Sequence, residues 1–277
     1  MDYKQYIELI HENPKKAQQY KNTFIPNSLF KYVGLFDDES RNKKRFNSLE
    51  SAELHLGKYV DYNDPFEGTF FLIDEKKLED KGWKPGLVTE LYRNLVDGFR
   101  ICSLSDTDEH NMPMWAHYAN NHRGFCVEYN FTEKQKNYIF PVSYEKKRQE
   151  ATTILANLIQ EELHIALNNQ DTDVSEKLKQ LSEESSDTNL LIFLSIAAKH
   201  ESWSYEKEYR IIASDRHDTF PSIPSRIYAG MNCDDENVNA LKEIVTRYQK
   251  DGVPVELYKM IFDSMDKDFQ LRKERIV

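Results

Sequence analysis

Two segments that lie far apart in the sequence combine aromatic, imidazole, carboxylate and guanidinium groups. They span residues 114–129 (MWAHYANNHRGFCVEY) and residues 199–210 (KHESWSYEKEYR). Each segment lies beside an apolar, strand-like run. A hydrophobic core does not require so many aromatic side chains that carry hydrogen-bonding groups. If the two segments meet in the fold, they form a polar pocket with aromatic walls.

The second segment has the more informative spacing. Glu206, Glu208 and Arg210 alternate, so on a β-strand they face the same side. Exposed ion pairs would contribute only about 0–1 kcal/mol each, whereas the apolar residues Ile211 and Ile212 that follow indicate partial burial. We therefore predict that Arg210 keeps Glu208 ionised. Such a carboxylate is suited to binding a hydroxyl group or stabilising a cation.

The first segment contributes aromatic and imidazole groups. Trp115 and Tyr118 are three residues apart on a helix predicted at 112–121, so they share one face, and His117 points about a quarter-turn away from Tyr118. A single histidine is more often packed or solvated than functional, but His117 and His122 flank an Asn-Asn loop, which favours a role in the site. Their spacing is not that of an HExxH motif, and we predict no metal.

Two further motifs supply candidate ligand contacts. Residues 63–67 (NDPFE) contain a turn signature, because Asn and Asp bond their own backbone and Pro fixes φ. The turn accounts for Asn63 and Asp64 but not for Glu67. Ser103 lies near the end of a predicted strand, where it suits a hydrogen bond to a ribose or an amide. The sequence has no GxSxG motif, so a serine nucleophile is not indicated.

Periodicity along the chain predicts the elements that position these residues. Strands are predicted at residues 29–35, 70–73, 99–104, 125–129, 138–144, 209–213, 226–229, 255–261 and 269–272. Helices are predicted at residues 2–20, 38–56, 86–97, 112–121 and 238–248. Asp234 or Asp235 is predicted to cap the last helix and Gly252 to end it. We predict one α+β domain over residues 1–277, with a mixed, largely antiparallel sheet, flanking helices on one side and a helical insertion at about 146–200.

Composition limits the class of protein. Hydrophobic residues make up 39% of the 277 residues and the net charge is −10, so a substantial core is expected and a broad nucleic-acid surface is not. The basic cluster over residues 41–45 is predicted to be a solvated helix face. Three cysteines without CxxC spacing favour free thiols. With no signal-peptide pattern and no apolar run of about 18 residues, we predict a cytoplasmic protein without a membrane span.

Five motifs in a fixed order resemble one bacterial family. They are LFKYVGL, YNDPFEG, ICSLSDTDEHNMPMWAHYANNHRGFCVEY, KHESWSYEKEYR and RIYAGMNCDDENV. The family is catalogued as a domain of unknown function, number twenty-nine seventy-one. The resemblance extends over roughly residues 29–275, and it implies a family but no activity.

A second resemblance is to the ADP-ribosyltransferase fold. An early aromatic strand, a middle segment with serine and aromatic residues, and a late strand with Glu-x-Glu occur in the same order. In that fold an Arg or His on the first strand holds NAD, a Ser or Tyr supports the nicotinamide ribose, and a late Glu positions the reacting ribose. Carried over by position, the resemblance assigns the first role to Lys31 or Tyr32, the second to Ser103 and the third to Glu208.

This chain departs from that pattern because its predicted first strand has neither Arg nor His. Arg210 or His117 would hold NAD instead. The resemblance further implies that Tyr118 or Trp115 stacks on nicotinamide or adenine and that Arg123 or Arg210 binds pyrophosphate. Cleavage of a glycosidic bond passes through an oxocarbenium-like transition state. A preorganised carboxylate stabilises the positive charge that develops there.

The first hypothesis is an NAD-consuming enzyme, either an ADP-ribosyltransferase or an NAD glycohydrolase, acting as a toxin or phage-defence effector. NAD is the co-substrate, and the partner is a small nucleotide or a macromolecular acceptor. Glu208, His117 and Tyr118 are the predicted catalytic residues. The predicted ligand contacts are Lys31, Tyr32, Asn63, Asp64, Glu67, Ser103, Trp115, Arg123, Trp203, Glu206 and Arg210.

Two other functions compete with an NAD-consuming enzyme. One is a non-catalytic module that binds a nucleotide or a partner protein in the same pocket. The other is a nuclease that uses His117, His122 and either Glu128 or Glu208. The acidic charge of the chain disfavours the nuclease.

Overall fold

The computed structural model describes residues 1–62, 64–157, 159–160 and 194–277. The named helices are α1 (Tyr3–Glu12), α2 (Pro14–Asn22), α3 (Glu39–Glu50), α4 (Glu75–Glu79), α5 (Leu87–Asp97), α6 (Met112–Tyr118), α7 (Glu133–Lys136) and α8 (Asp235–Lys250). The strands are β1 (Ser28–Val33), β2 (Glu53–His55), β3 (Phe71–Leu72), β4 (Phe99–Ser105), β5 (Phe125–Asn130), β6 (Ile139–Pro141), β7 (Ser143–Glu145), β8 (Gln149–Glu150), β9 (Ala198–His200), β10 (Glu208–Ser214), β11 (Thr219–Pro221), β12 (Pro224–Ala229), β13 (Glu256–Ile261) and β14 (Arg272–Arg275). Short 3-10 helices lie at Tyr59–Asp61 and Glu201–Glu206, and further helical residues lie at 152–157, 159–160 and 194–196.

One eight-stranded sheet organises the fold. Its strand order is β14-β13-β12-β5-β1-β4-β10-β6. Neighbouring strands are antiparallel except β12 and β13, which run parallel. A parallel pair needs a crossover connection, and α8 supplies it. The predicted α+β class with a mixed, largely antiparallel sheet is therefore confirmed.

Several predicted elements have different limits in the structure. The helix predicted at 2–20 is two helices, because Asn13 caps α2 and Pro14 opens it. Pro14 fits there because the first turn of a helix needs no N–H donor, whereas it could not continue α1. The helix predicted at 38–56 gives way to β2, and the strand predicted at 269–272 begins only at the last of those residues, as β14.

The insertion predicted at 146–200 falls largely outside the described residues. Its two described ends contain the short strands β8 and β9 as well as helical residues. β8 pairs in parallel with β3, and β9 pairs in parallel with β7. Through these pairings, both described ends of the predicted insertion are hydrogen-bonded to other strands of the domain.

Helices cover both faces of the sheet, although the sequence predicted helices on one side. Successive residues of a strand point to opposite faces. Cys102 and Ile211 pack with α3 and α8 on one face. Ile101 and Ile212 pack with α1, α2 and α5 on the other, and Tyr32 packs beside α6 on that same face. The candidate site lies on this second face, where β4 and β10 carry polar residues beyond Ile101 and Ile212.

The ends of β5 and β12 are packed too tightly for a side chain at Gly230. A Cβ there would lie 2.1 Å from the backbone oxygen of His122. The loop with Asn120, Asn121 and His122 has left-handed φ angles of 48°, 53° and 65°, which cost free energy in residues that carry a side chain. We expect Gly230→Ala to lower the free energy of unfolding by about 1–3 kcal/mol in urea denaturation. Gly57→Ala is the control, because a Cβ there meets nothing within 4 Å; an equal loss in both variants would contradict this account.

The three cysteines agree with the sequence-based expectation. Cys102, Cys126 and Cys233 are all buried and free. Their role in the described structure is therefore packing, as expected for small apolar side chains. Across the described ranges, no helix combines the length and apolar character needed to cross a membrane.

Candidate functional site

An open cavity of about 300 Å³ lies against β1, β4 and β10. Charged and aromatic side chains line much of its wall, namely Phe30, Lys31, Tyr32, Asp61, Tyr62, Tyr118, Lys199, Glu206 and Glu208. The register of β4 and β10 places Arg210 opposite Ser103 and Glu208 opposite Ser105. Because these residues alternate with core residues on both strands, the sheet itself presents the polar groups to the cavity.

Arg210 forms the buried base of the site. Its guanidinium is fully buried and donates to both carboxylate oxygens of Glu67 at 2.8 Å. It also donates to Glu208, from Nε at 2.8 Å and from Nη2 at 3.2 Å, and to the backbone oxygen of Ile196. The predicted pairing of Glu208 with Arg210 is therefore present. Glu67, which the turn motif did not explain, is the second carboxylate that this guanidinium requires.

Lys199 links the two carboxylates at the cavity wall. Its Nζ donates to Glu206 at 2.7 Å and to Glu208 at 3.1 Å. The Glu206 oxygen and the Glu208 oxygen that accept from Lys199 therefore lie within about 6 Å of each other. Sequence reasoning did not select Lys199 as a site residue. The available signal was a single lysine directly after the apolar run at 196–198, where a solvated side chain is not expected.

Glu206 is not on β10, although the sequence placed it on the same strand as Glu208. It ends a 3-10 helix, and Lys207 follows with a left-handed φ of 44°. The turn brings Glu206 back to the cavity, where it accepts a hydrogen bond from the Tyr118 hydroxyl. The rings of His117 and Tyr205 are 6.1 Å apart. The two polar segments identified in the sequence therefore meet.

The ionisable groups of this cluster differ in their pKa values. Burial acts against ionisation of Glu208, but the positive charges of Arg210 and Lys199 outweigh it and lower its pKa to about 2. Burial raises the pKa of Glu206 and of Glu67, and the partner cations offset this only in part. Two neighbouring carboxylates with opposite shifts are the arrangement expected of groups with separate acid–base roles.

Ser103, Lys31 and Tyr32 complete the wall. The Ser103 hydroxyl donates to Glu208, so Ser103 supports the carboxylate directly. Lys31 donates from Nζ to the backbone oxygen of Ser103 at 2.9 Å. The hydroxyl of Tyr32 donates to the backbone oxygen of Asp108 at 2.6 Å, and its largely buried ring lines the cavity.

Trp115, His117 and Arg123 are among the predicted site residues that do not line this cavity. Trp115 is fully buried; its ring stacks on His122 and meets Tyr32 edge-on, so no face is open for a ligand to stack on. His117 and Arg123 are exposed at the surface and are absent from the described cavity lining. The aromatic residues that do line it are Phe30, Tyr32, Tyr62 and Tyr118. Of these, the sequence predicted only Tyr32 and Tyr118 as site residues.

The residues of the predicted turn have separate positions. Asn63 lies outside the described residues. Asp64 is buried, and its Oδ1 accepts from the backbone N–H of Phe66 at 2.9 Å, which is the predicted turn chemistry. Asp64 and Trp203 both line a second cavity beside the first.

The residues of the nuclease hypothesis are not brought to one place. His117 is exposed beside Tyr205. His122 packs on Trp115, and Glu128 pairs with Arg226 at 3.0 Å on the far side of β1 from β10. Within the described part of the chain, these groups do not form a cluster.

Comparisons with known proteins agree with one of the two resemblances. Residues 114–211, roughly a third of the chain, match the model of a family described as a protein of unknown function, DUF2971. This range includes both polar segments. A search of curated proteins and a search of solved structures returned no significant match. The likeness to ADP-ribosyltransferases remains a prediction.

The lowered pKa of Glu208 predicts how its contribution to stability depends on pH. The folded-state pKa of about 2 lies below the ordinary value of 4.5. The ionised carboxylate therefore stabilises the fold above pH 4.5, and this stabilisation is lost as the pH falls towards 2. We expect the difference in free energy of unfolding between wild type and Glu208→Gln to be larger at pH 7 than at pH 3, in urea titrations. Exposed Glu243→Gln should show little pH dependence, and a constant difference for Glu208→Gln would contradict the assignment.

Proposed function

We propose that this protein consumes NAD in the cavity between β1, β4 and β10 by breaking the bond between nicotinamide and ribose. The carboxylate pair Glu206 and Glu208 carries the proposal, since Lys199 holds both and their pKa values are shifted in opposite directions. A volume of about 300 Å³ is at the lower end of what small ligands occupy. This size suits the nicotinamide–ribose half of the molecule.

The proposed reaction requires negative charge beside the ribose. When the C1′–N bond breaks, its electron pair moves to the nicotinamide nitrogen, which becomes neutral, and positive charge develops on the ribose. Glu206 and Glu208 supply fixed negative charge at that position. A water molecule then adds to C1′, and its proton passes to Glu206. The raised pKa makes Glu206 a stronger base than an exposed carboxylate.

The two carboxylates differ in their remaining hydrogen-bonding capacity. Glu208 already accepts from Ser103, from Lys199 and twice from Arg210. Glu206 accepts side-chain hydrogen bonds from Tyr118 and Lys199, which leaves lone pairs for water or a ribose hydroxyl. In this proposal Glu206 is the catalytic base, and Glu208 positions Lys199 and Ser103.

The four hydrogen bonds that Glu208 accepts also favour a second candidate function. A carboxylate with four donors is suited to holding a site in a fixed shape. The cavity would then belong to a non-catalytic module that binds a nucleotide. Such a module would bind NAD without changing it.

One experiment separates the two functions. Purified protein is mixed with NAD, binding is measured by calorimetry, and free nicotinamide is measured by chromatography. NAD labelled on the adenylate half reports transfer to a macromolecular acceptor instead of water. Nicotinamide release supports the enzyme, and binding without release supports the binding module. An absence of both binding and release would overturn both proposals.

A further inference from the structure

A second cavity, of about 460 Å³, adjoins the first. Lys199 lines both of them and forms part of the wall between. The other walls come from the turn at 64–66, the segment at 145–148 and the segment from β9 into the following 3-10 helix. Lys199 is therefore a side chain that the two cavities have in common.

The second cavity is positively charged in an acidic protein. Its lining includes the consecutive residues 146–148 (KKR) and Lys199, against the carboxylates of Asp64 and Glu145. The charge of Lys199 is offset by Glu206 and Glu208 in the first cavity. The excess positive charge therefore comes from the exposed residues 146–148. Because Arg148 already donates to the backbone oxygens of Thr69 and Phe71, Lys146 and Lys147 are the cations available to a ligand. Lys and Arg side chains in this arrangement favour an anion such as a phosphate group.

Aromatic rings border the positive charge. Phe66 is 59% exposed, which is unusual for a side chain of this size. The turn formed by Asp64 fixes its backbone. Trp203 is half-buried, and the Nζ of Lys199 lies 4.8 Å from the centre of its ring. Exposed aromatic rings beside basic side chains are the combination that binds a nucleobase and its phosphate.

We propose that the second cavity binds a nucleoside monophosphate, with the base against Phe66 and Trp203 and the phosphate against Lys146 and Lys147. This inference rests on the proposed function in one respect. If NAD is the substrate, its adenylate half occupies the second cavity while nicotinamide and its ribose occupy the first. The site requires a ligand that carries both an aromatic base and an anionic group.

Calorimetric titration with AMP, adenosine and inorganic phosphate tests the site. We expect AMP to bind more tightly than either adenosine or phosphate, with an affinity that falls as the salt concentration rises. Phe66→Ala and Lys146→Gln/Lys147→Gln should each weaken AMP binding about tenfold. Equal affinity for AMP and adenosine, or no binding of AMP at all, would overturn the proposal.

Matched controls lie on other parts of the surface. Lys242→Gln/Lys250→Gln removes the same two charges from α8, on the opposite face of the sheet. Phe262→Ala removes an exposed ring beyond β13, near the other edge of the sheet. Both controls should leave AMP binding unchanged. A loss of affinity equal to that of the cavity variants would show that the effect is not local.

The outcomes also distinguish this inference from the proposed function. AMP binding that is lost in the cavity variants, without nicotinamide release from NAD, would support the second cavity and reject the NAD-consuming enzyme. If Phe66→Ala and Lys146→Gln/Lys147→Gln leave nicotinamide release unaffected, the result would support the enzyme. It would reject binding of the adenylate half of NAD in the second cavity. If both are correct, the cavity variants raise the KM for NAD about tenfold and change kcat little.

Discussion

Replacing Glu206 by glutamine is expected to lower nicotinamide release from NAD about 100-fold or more, while NAD still binds. A general base in the transition state contributes about 10²–10⁴-fold to rate, and glutamine cannot accept the proton of the attacking water. Glutamine retains the shape of the side chain: its carbonyl oxygen can accept from Lys199, and its amide N–H can donate to the Tyr118 hydroxyl, which accepts as well as donates. The loss should therefore fall on kcat, measured by chromatography of nicotinamide, and not on the affinity measured by calorimetry.

Glu201→Gln is the matched control for this variant. Glu201 lies on the same 3-10 helix but is exposed, and its contact with Lys146 at 3.9 Å is a surface pair. Its replacement should leave kcat within about twofold, since such pairs contribute at most about 1 kcal/mol. If Glu206→Gln and Glu201→Gln have the same activity, Glu206 is not the base.

Replacing Arg210 by methionine is expected to lower the free energy of unfolding by about 3–5 kcal/mol. Arg210 is fully buried between two buried carboxylates, and removing one partner of a buried ion pair leaves the other charge without compensation. Among the described residues, the ion-pair partner left to Glu67 would be Lys199, at 3.9 Å. Urea denaturation at pH 7, followed by circular dichroism, measures the loss.

A second variant and a control keep the Arg210 prediction testable. Adding Glu67→Leu to Arg210→Met removes one of the uncompensated charges and should recover part of the lost stability. Arg247→Met removes an arginine from an exposed pair with Glu50 and should cost at most about 1 kcal/mol. A loss for Arg210→Met as small as that for Arg247→Met would show that the buried network does not stabilise the fold.

Local patterns predicted a large part of this fold. The alternation of residues in β4 predicted that strand, because an apolar face packed on a core repeats every two residues. The apolar, strand-like runs beside the two polar segments predicted β5 and β10. Of the two predicted caps, Asp234 and Asp235, Asp234 is confirmed, since it accepts from the backbone N–H of Asn237. Gly252, predicted to end α8, has a left-handed φ of 81°. Each of these features depends on a few neighbouring residues.

The candidate site was less predictable because its contacts are long-range. Alternation predicted that Arg210 pairs with Glu208. Glu67 reaches the same guanidinium from 143 residues earlier in the chain, a distance at which sequence spacing carries no information. Glu206 was assigned to a strand because no pattern predicts a left-handed residue at Lys207.

The sequence by itself determined the strands that hold the site, the polar residues on them and the resemblance to a family. Apart from the Arg210–Glu208 pair, only the tertiary structure decided which charges meet. It placed Lys199 between Glu206 and Glu208, moved Trp115 into the core and left Arg123 outside the cavity. The physical reason is that backbone periodicity is a local property. The pKa of a buried carboxylate depends instead on every charge within a few ångströms, and the folded chain alone brings those charges together.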